Sequence, residues 1–338
     1  MKGRERAVRV QFGATRRRAL ALGATMVAGG LAGRSSAAVR RATVWLVGER
    51  DPRAALERVF ARLPADLAAG RRVALKANFN SADPFPATTA PDTLEALVER
   101  LAAMRPSRLT LAERSGMGDT RAVLEWAGVP RLAARHGLEV ELLAGRDRGG
   151  WVPVRRPELH WQRGFLLARA FAEAELTIQT CCLKTHRFGG HFTMALKNAV
   201  GAVAKIDPDD GYDYMRELHA SPHQRAMIAE ISTAFRHDLV IMDARQGFRS
   251  GGPESGTLVE PGLFLAATDP VAIDAVGVAL LRRYGTTPEV ARGPIFAQDQ
   301  LARAAELGIG VASASAIELV GLDEAGHRAA EALRPLLV

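Results

Sequence analysis

The chain has 338 residues, 48% hydrophobic and 24% charged, a balance that excludes a disordered or wholly membrane-embedded protein and leaves room for a sizeable core. A net charge of +8 would ordinarily point to nucleic acid or an anionic membrane, but residues 1–38 hold eight Lys and Arg against Glu5 alone, a net +7. The other 300 residues carry about +1, which removes the case for a nucleic-acid partner.

In chain order, residues 1–38 have the three parts of an export leader: a basic start, an apolar stretch from Ala19 to about Ala32, and the small residues Ser35, Ser36, Ala37 and Ala38. Thr15-Arg16-Arg17-Arg18-Ala19-Leu20-Ala21 resembles the twin-arginine pattern, with Ala19 replacing the usual Phe and Ala21 the frequent Lys. The apolar stretch is short and rich in glycine for a bilayer span. The expectation is cleavage near Ala37 or Ala38, transit through the twin-arginine translocase, and a single mature domain over residues 39–338. That domain would work in the periplasm or otherwise outside the cytoplasm, with no stable membrane span.

After the leader, β-rich runs alternate with amphipathic stretches. Strands are predicted at Ala42–Val47, Val73–Ala77, Leu109–Ala112, Val140–Leu143, Leu176–Cys182, Leu239–Asp243, Leu263–Ala267 and Ile317–Gly321. Helices are predicted at Pro91–Met104, Thr120–Ala127, Gly164–Ala174, Thr193–Val203, His223–Phe235, Pro270–Tyr284, Phe296–Leu307 and Glu324–Leu336. This alternation predicts a three-layer α/β fold, a largely parallel sheet covered by helices on both faces. Gly145–Trp161 and Arg245–Gly262 read as the longest irregular stretches, and Asp269-Pro270 as a capped helix start.

Polar residues at strand ends are the candidates for chemistry. Lys76 and Asn78 lie at the end of the second predicted strand, and Glu113 directly follows the third. The densest segment is Cys181-Cys182-Leu183-Lys184-Thr185-His186, a glycine-bearing loop with His191, then Thr193, Lys197 and Asn198 on a predicted helix. Lys184 and Lys197 offer charge to an anion, Thr193 lies at a helix start where backbone N–H groups favour anions, and Asn198 can donate or accept. His186 is a candidate acid/base, with Glu113 or Asp243 to orient it. His186, His191 and His219 are candidate ligands for a metal if the fold brings them together, although no specific metal-binding spacing is present. Asp243 precedes a glycine-rich loop, Gly247–Gly256, which can close over a ligand, while Asp274 reads as a group that ties down a neighbouring loop.

These pieces together resemble a bacterial and archaeal family, domain of unknown function 362, over roughly residues 70–285. They are Leu75-Lys76-Ala77-Asn78, Glu113 to Gly116, Leu183-Lys184-Thr185-His186 with Lys197-Asn198 and Gly201, Met242-Asp243, Gly252-Pro253 with Gly256, and Ala267 to Asp274. The resemblance implies a fold and site positions, not a reaction, and it favours a site role for Lys76 and Asn78. Many members add a four-iron four-sulfur ferredoxin module. Such a cluster needs several thiolates, and the adjacent pair Cys181 and Cys182 cannot supply them, so no iron–sulfur cluster is expected here. Two functions stay open, an enzyme for a small anionic substrate or cofactor and a noncatalytic anion-binding protein, with a metal or cofactor carrier as a third. No G-x-G-x-x-G or phosphate-loop motif supports nucleotide binding.

Overall fold

The computed structural model describes residues 40–337; the leader, with its arginines and expected cleavage site, lies outside the described residues. The strands are β1 (Ala42–Val47), β2 (Arg72–Lys76), β3 (Arg108–Glu113), β4 (Glu139–Leu142), β5 (Trp151–Val154), β6 (Phe165–Ala168), β7 (Leu176–His186), β8 (His191–Phe192), β9 (Leu239–Gly251), β10 (Gly256–Val259), β11 (Leu263–Ala267) and β12 (Ile317–Gly321). Ten of them form one sheet with the order β12-β1-β11-β9-β7-β2-β3-β4, in which β8 and β10 hang on β7 and β9. The run β9-β7-β2-β3-β4 is parallel, and β11 lies antiparallel to both β1 and β9.

Strand periodicity sets the layers. Val240, Met242, Leu263 and Leu265 face one way, whereas Leu239, Ile241, Phe264 and Ala266 face the other. The second face is covered by α1 (Pro52–Phe60), α2 (Pro91–Ala103), α3 (Thr120–Trp126) and α4 (Val129–His136). The first face carries two adjoining cores. One is built on the short α5 (Arg169–Ala172), the β5–β6 ribbon, α7 (Tyr214–Ala220) and α8 (Gln224–Glu230). The other is built on α6 (Ala195–Asn198), α9 (Pro270–Arg283), α10 (Pro288–Ala291), α11 (Asp299–Glu306) and α12 (Glu324–Leu333). The result is the three-layer α/β fold expected from the alternation. No helix among the described residues is long and apolar enough to cross a membrane.

Three departures shape the site. Gly164–Ala174, read as a helix, is strand β6 followed by the four-residue α5, because the apolar run Phe165–Ala168 is equally at home in a fully buried ribbon and pairs with β5. β7 and β9 run on past Cys182 and Asp243, pairing Leu183 with Gly247 and Lys184 with Phe248 after a register shift. The expected mobile-type loop Gly247–Gly256 is therefore a β9–β10 hairpin rather than a flap. The helix expected from Thr193 is α-helical only over Ala195–Asn198 and tightens to a 3₁₀ turn over Ala199–Ala202. Its first N–H groups are held by Asp274, which accepts from Ala195 N at 2.7 Å and Leu196 N at 3.0 Å. Asp269 caps α9 through Val271 N and Ala272 N, with Pro270 in the first turn.

Candidate functional site

The carboxyl ends of β2, β3 and β7 open at one edge of the sheet, where α/β folds gather ligand-binding groups. A cleft of about 240 Å³ lies there. Lys76, Asn78, Glu113, Lys184, His186, Thr193, Lys197, Asn198 and His219 all line it, joined by Arg114 and Lys205. Five cationic side chains therefore face Glu113 alone, so the cleft has an excess of positive charge.

One side of the cleft is fully paired. The Lys76 ammonium lies 2.6 and 2.8 Å from the Glu113 carboxylate oxygens, and both side chains are buried. Burial pulls the Lys76 ammonium down and pushes the Glu113 carboxyl up, while the ion pair opposes both. Gly201 makes room for this pair: a Cβ there would fall 2.6 Å from Lys76 Cε and 3.1 Å from Glu113 Oε1. The buried Arg114 guanidinium donates to the carbonyls of Val200 and Val203, and burial lowers it to about 10. Lys184 donates to the carbonyls of Pro86 and Ala87. Asn78 donates to Ala87 O at 3.2 Å, and its backbone N–H donates to Thr89 Oγ1 at 2.9 Å. Lys184 and Asn78 thus hold the 81–90 loop across the strand ends.

The other side is open. Lys197 is half-buried, and its ammonium makes no hydrogen bond or ion pair among the described residues. Burial, then the cations Arg114 and Lys184, bring it down to about 8. His186 is 7% exposed, and its Nδ1 is buried with no partner. Burial first, then Lys197 and the other nearby cations, hold its imidazole far below the usual histidine range, so it is neutral at any physiological pH. Both groups reach the same side of Gly190, where a Cβ would fall 2.8 Å from His186 Nδ1 and 3.1 Å from Lys197 Cε. Asn198 Nδ2 donates to Gln179 Oε1 at 3.0 Å and Thr180 O at 3.2 Å, which leaves Oδ1 as the atom it can offer a ligand. Gln179 Nε2 in turn meets His237 Nδ1, and His237 Nε2 meets Ser232 Oγ at 2.8 Å, a chain that fixes the Asn198 amide orientation. His219 Nδ1 donates to Met215 O at 2.7 Å, leaving Nε2 as the unengaged nitrogen.

Two expected members lie elsewhere. Asp243 does not line the cleft and has no contact with His186; it is fully buried and accepts from Thr93 Oγ1 at 2.6 Å, Arg245 N at 3.1 Å and the Arg245 guanidinium. Its position is fixed by tying β9 to the start of α2. His191 pairs with His186 across the β7–β8 ladder and does not line the cleft; it lies in a second groove with His186, Arg187, Thr287 and Glu289. The expected three-histidine set is therefore not assembled: among the described residues no group of three His, Cys, Asp or Glu side chains is placed to hold a metal ion. Cys181 and Cys182 are free and buried, and burial pushes both thiols up.

Sequence reasoning took Arg114 and Gly190 only as parts of longer segments, with no site role, and did not single out the Gln179–His237 chain. Arg114 adjoins Glu113 and could have been found by that adjacency, whereas Gln179 and His237 carry no local signal because they meet Asn198 only across strands.

The family model for "Domain of unknown function (DUF362)" matches residues 73–279, more than half of the chain. The chain belongs to the DUF362 family. Its fold is also similar to the solved lactate racemase apoprotein from Thermoanaerobacterium thermosaccharolyticum, with a TM-score of 0.39 and 14% identity over 60% of this chain and 50% of that one. The chain spans about half the length of that structure. A comparison with curated proteins gives no match. The DUF362 match covers every residue named in the cleft, from Lys76 to His219.

Proposed function

We propose that this DUF362 protein is an exported enzyme that binds a small carboxylate- or phosphate-bearing substrate in the cleft and carries out proton-transfer chemistry on it. The observation that carries this reading is the half-buried, unpartnered Lys197 ammonium beside the unpartnered Nδ1 of His186. A buried imidazole nitrogen without a partner costs about 1 to 3 kcal/mol, a cost that a bound ligand can offset. Lys197 supplies charge to the anion, with Lys76, Lys184 and Arg114 adding to the field. His186, held neutral, serves as a hydrogen-bonding group, and Lys197 near pH 8 can exchange a proton with substrate. Glu113 acts on the site by holding Lys76, not by reaching the histidine. Thr193 and Asn198 position the ligand, the latter through Oδ1.

The test is native mass spectrometry of protein recovered from the exported fraction, together with calorimetric titration of inorganic phosphate and pyruvate at low salt. A retained small acid, or binding that Lys197→Met weakens by about tenfold or more, is the expected result. Protein that carries no acid and responds to neither anion would refute it. Export by the twin-arginine translocase, with residues 1–38 removed, is part of the proposal. Replacing Arg16 and Arg17 by lysine should trap the precursor, and secreted protein should begin near Val39; a secreted chain still beginning at Met1 would count against removal.

A further inference from the structure

Four buried or half-buried cations line the cleft, and three of them are engaged: Lys76 with Glu113, Arg114 with two backbone carbonyls, Lys184 with two others. Lys197 is the exception. Gly190 packs closely against it and against His186: a Cβ there would fall 3.1 Å from Lys197 Cε and 2.8 Å from His186 Nδ1, so the glycine lets both side chains lie against that backbone. A ligand in the cleft meets both Lys197 and His186, which line it together. At the cleft mouth stand two large exposed apolar side chains, Phe188 at 46% and Met117 at 43%. An apolar pair at the entrance of a cationic cleft fits an acid with an apolar body better than a bare inorganic anion.

We infer that Lys197 is a nucleophile, condensing with the carbonyl of a 2-oxo acid that bears an apolar side chain to give an imine. This rests on the anion-binding reading above and names its substrate class: the remaining cations of the cleft draw in the carboxylate while Lys197, as free amine, meets the carbonyl. The Lys197 nitrogen lone pair attacks the carbonyl carbon, a C–N bond forms, and the carbonyl π pair moves to oxygen, which takes a proton released by nitrogen. Nitrogen then expels that oxygen as water, carrying its second proton away, and the C=N bond replaces C=O. No oxidant or reductant enters. The proton passes from nitrogen to oxygen through water, and neutral His186 hydrogen-bonds the reacting groups without taking up a proton. An amine brought down to about 8 by burial and neighbouring cations has a usable free-base fraction at neutral pH, which an ordinary lysine lacks.

The experiment treats the protein with 4-methyl-2-oxopentanoate and sodium cyanoborohydride at pH 7.5, then maps modified lysines by peptide mass spectrometry. Reductive trapping should fall on Lys197 roughly tenfold or more above exposed lysines such as Lys205, should follow a pH profile with its inflection near 8, and should slow in His186→Ala. Labelling of Lys197 no faster than Lys205 overturns the inference. A parallel thermal-shift titration with the same acid, without reductant, separates the two claims. Stabilisation without trapping removes the nucleophile and leaves the anion site standing, whereas neither stabilisation nor trapping removes both.

Discussion

On the β2–β3 side of the cleft every charge has a partner, whereas on the β7–α6 side a lysine and a histidine have none. Both sides draw on the same residue types. Lys76 and Lys197 differ in that a carboxylate at 2.6 Å answers the first and only open cleft faces the second. The difference teaches that a buried ion pair marks a part of the site whose geometry is fixed in advance, and that an unanswered polar group marks where a ligand belongs.

The largest effect should come from unbalancing the paired side. Glu113→Ala leaves the Lys76 ammonium buried and alone, and should cost about 3 to 5 kcal/mol in denaturant unfolding. A double variant, Lys76→Met with Glu113→Leu, should recover most of that loss; no recovery would show that the pair matters through something other than its charge. Next, Asp274→Ala removes the acceptor of two N–H groups at the start of α6 and should cost about 1 to 3 kcal/mol while loosening Lys197. An unchanged unfolding midpoint would detach α6 from that carboxylate.

The third prediction concerns pH. Burial holds His237 down at about 3, against 6.5 for a free histidine. Below 6.5 the unfolded chain gains a proton that the folded chain does not, so folding stability falls as pH drops from 6.5 towards 3, with a slope of about 1.4 kcal/mol per unit. Asp274, raised by burial to about 7, acts in the opposite direction between pH 7 and 3.8. Comparing wild type with His237→Asn cancels that contribution, and the variant should show a flatter acid limb. Parallel limbs would mean that His237 is free to protonate. The smallest effect on stability should be Lys197→Met, within about 1 kcal/mol of wild type because no partner is lost, combined with a loss of anion binding of about tenfold or more. A strongly destabilised Lys197→Met would remove the contrast between the two sides.

Most of the cleft was legible because strand ends are legible. Lys76, Glu113, Lys184 and His186 each follow an apolar strand in the sequence, and parallel strands deliver such residues to one edge. Asp243 also follows a strand, but the same cue failed there, since Thr93 and Arg245 hold its side chain within the packing of α2. His191 was misplaced because the short β8 turns back on β7 with His191 at a positive φ of 62°, a local reversal that periodicity does not foretell. The engagement of Lys184 with the 81–90 loop depended on a contact across 98 residues of sequence, which residue type alone does not encode.

The sequence by itself determined the three-layer α/β class, the strands at Ala42–Val47, Leu263–Ala267 and Ile317–Gly321 to the residue, the Asp269 cap and the edge on which the polar residues collect. Those are consequences of period-2 burial and short-range capping, which act between near neighbours. Only the tertiary structure decided which lysines are neutralised and which is left open. That depends on where separate strands and loops place a carboxylate or a carbonyl, and partners at hydrogen-bond distance are set by packing between distant segments.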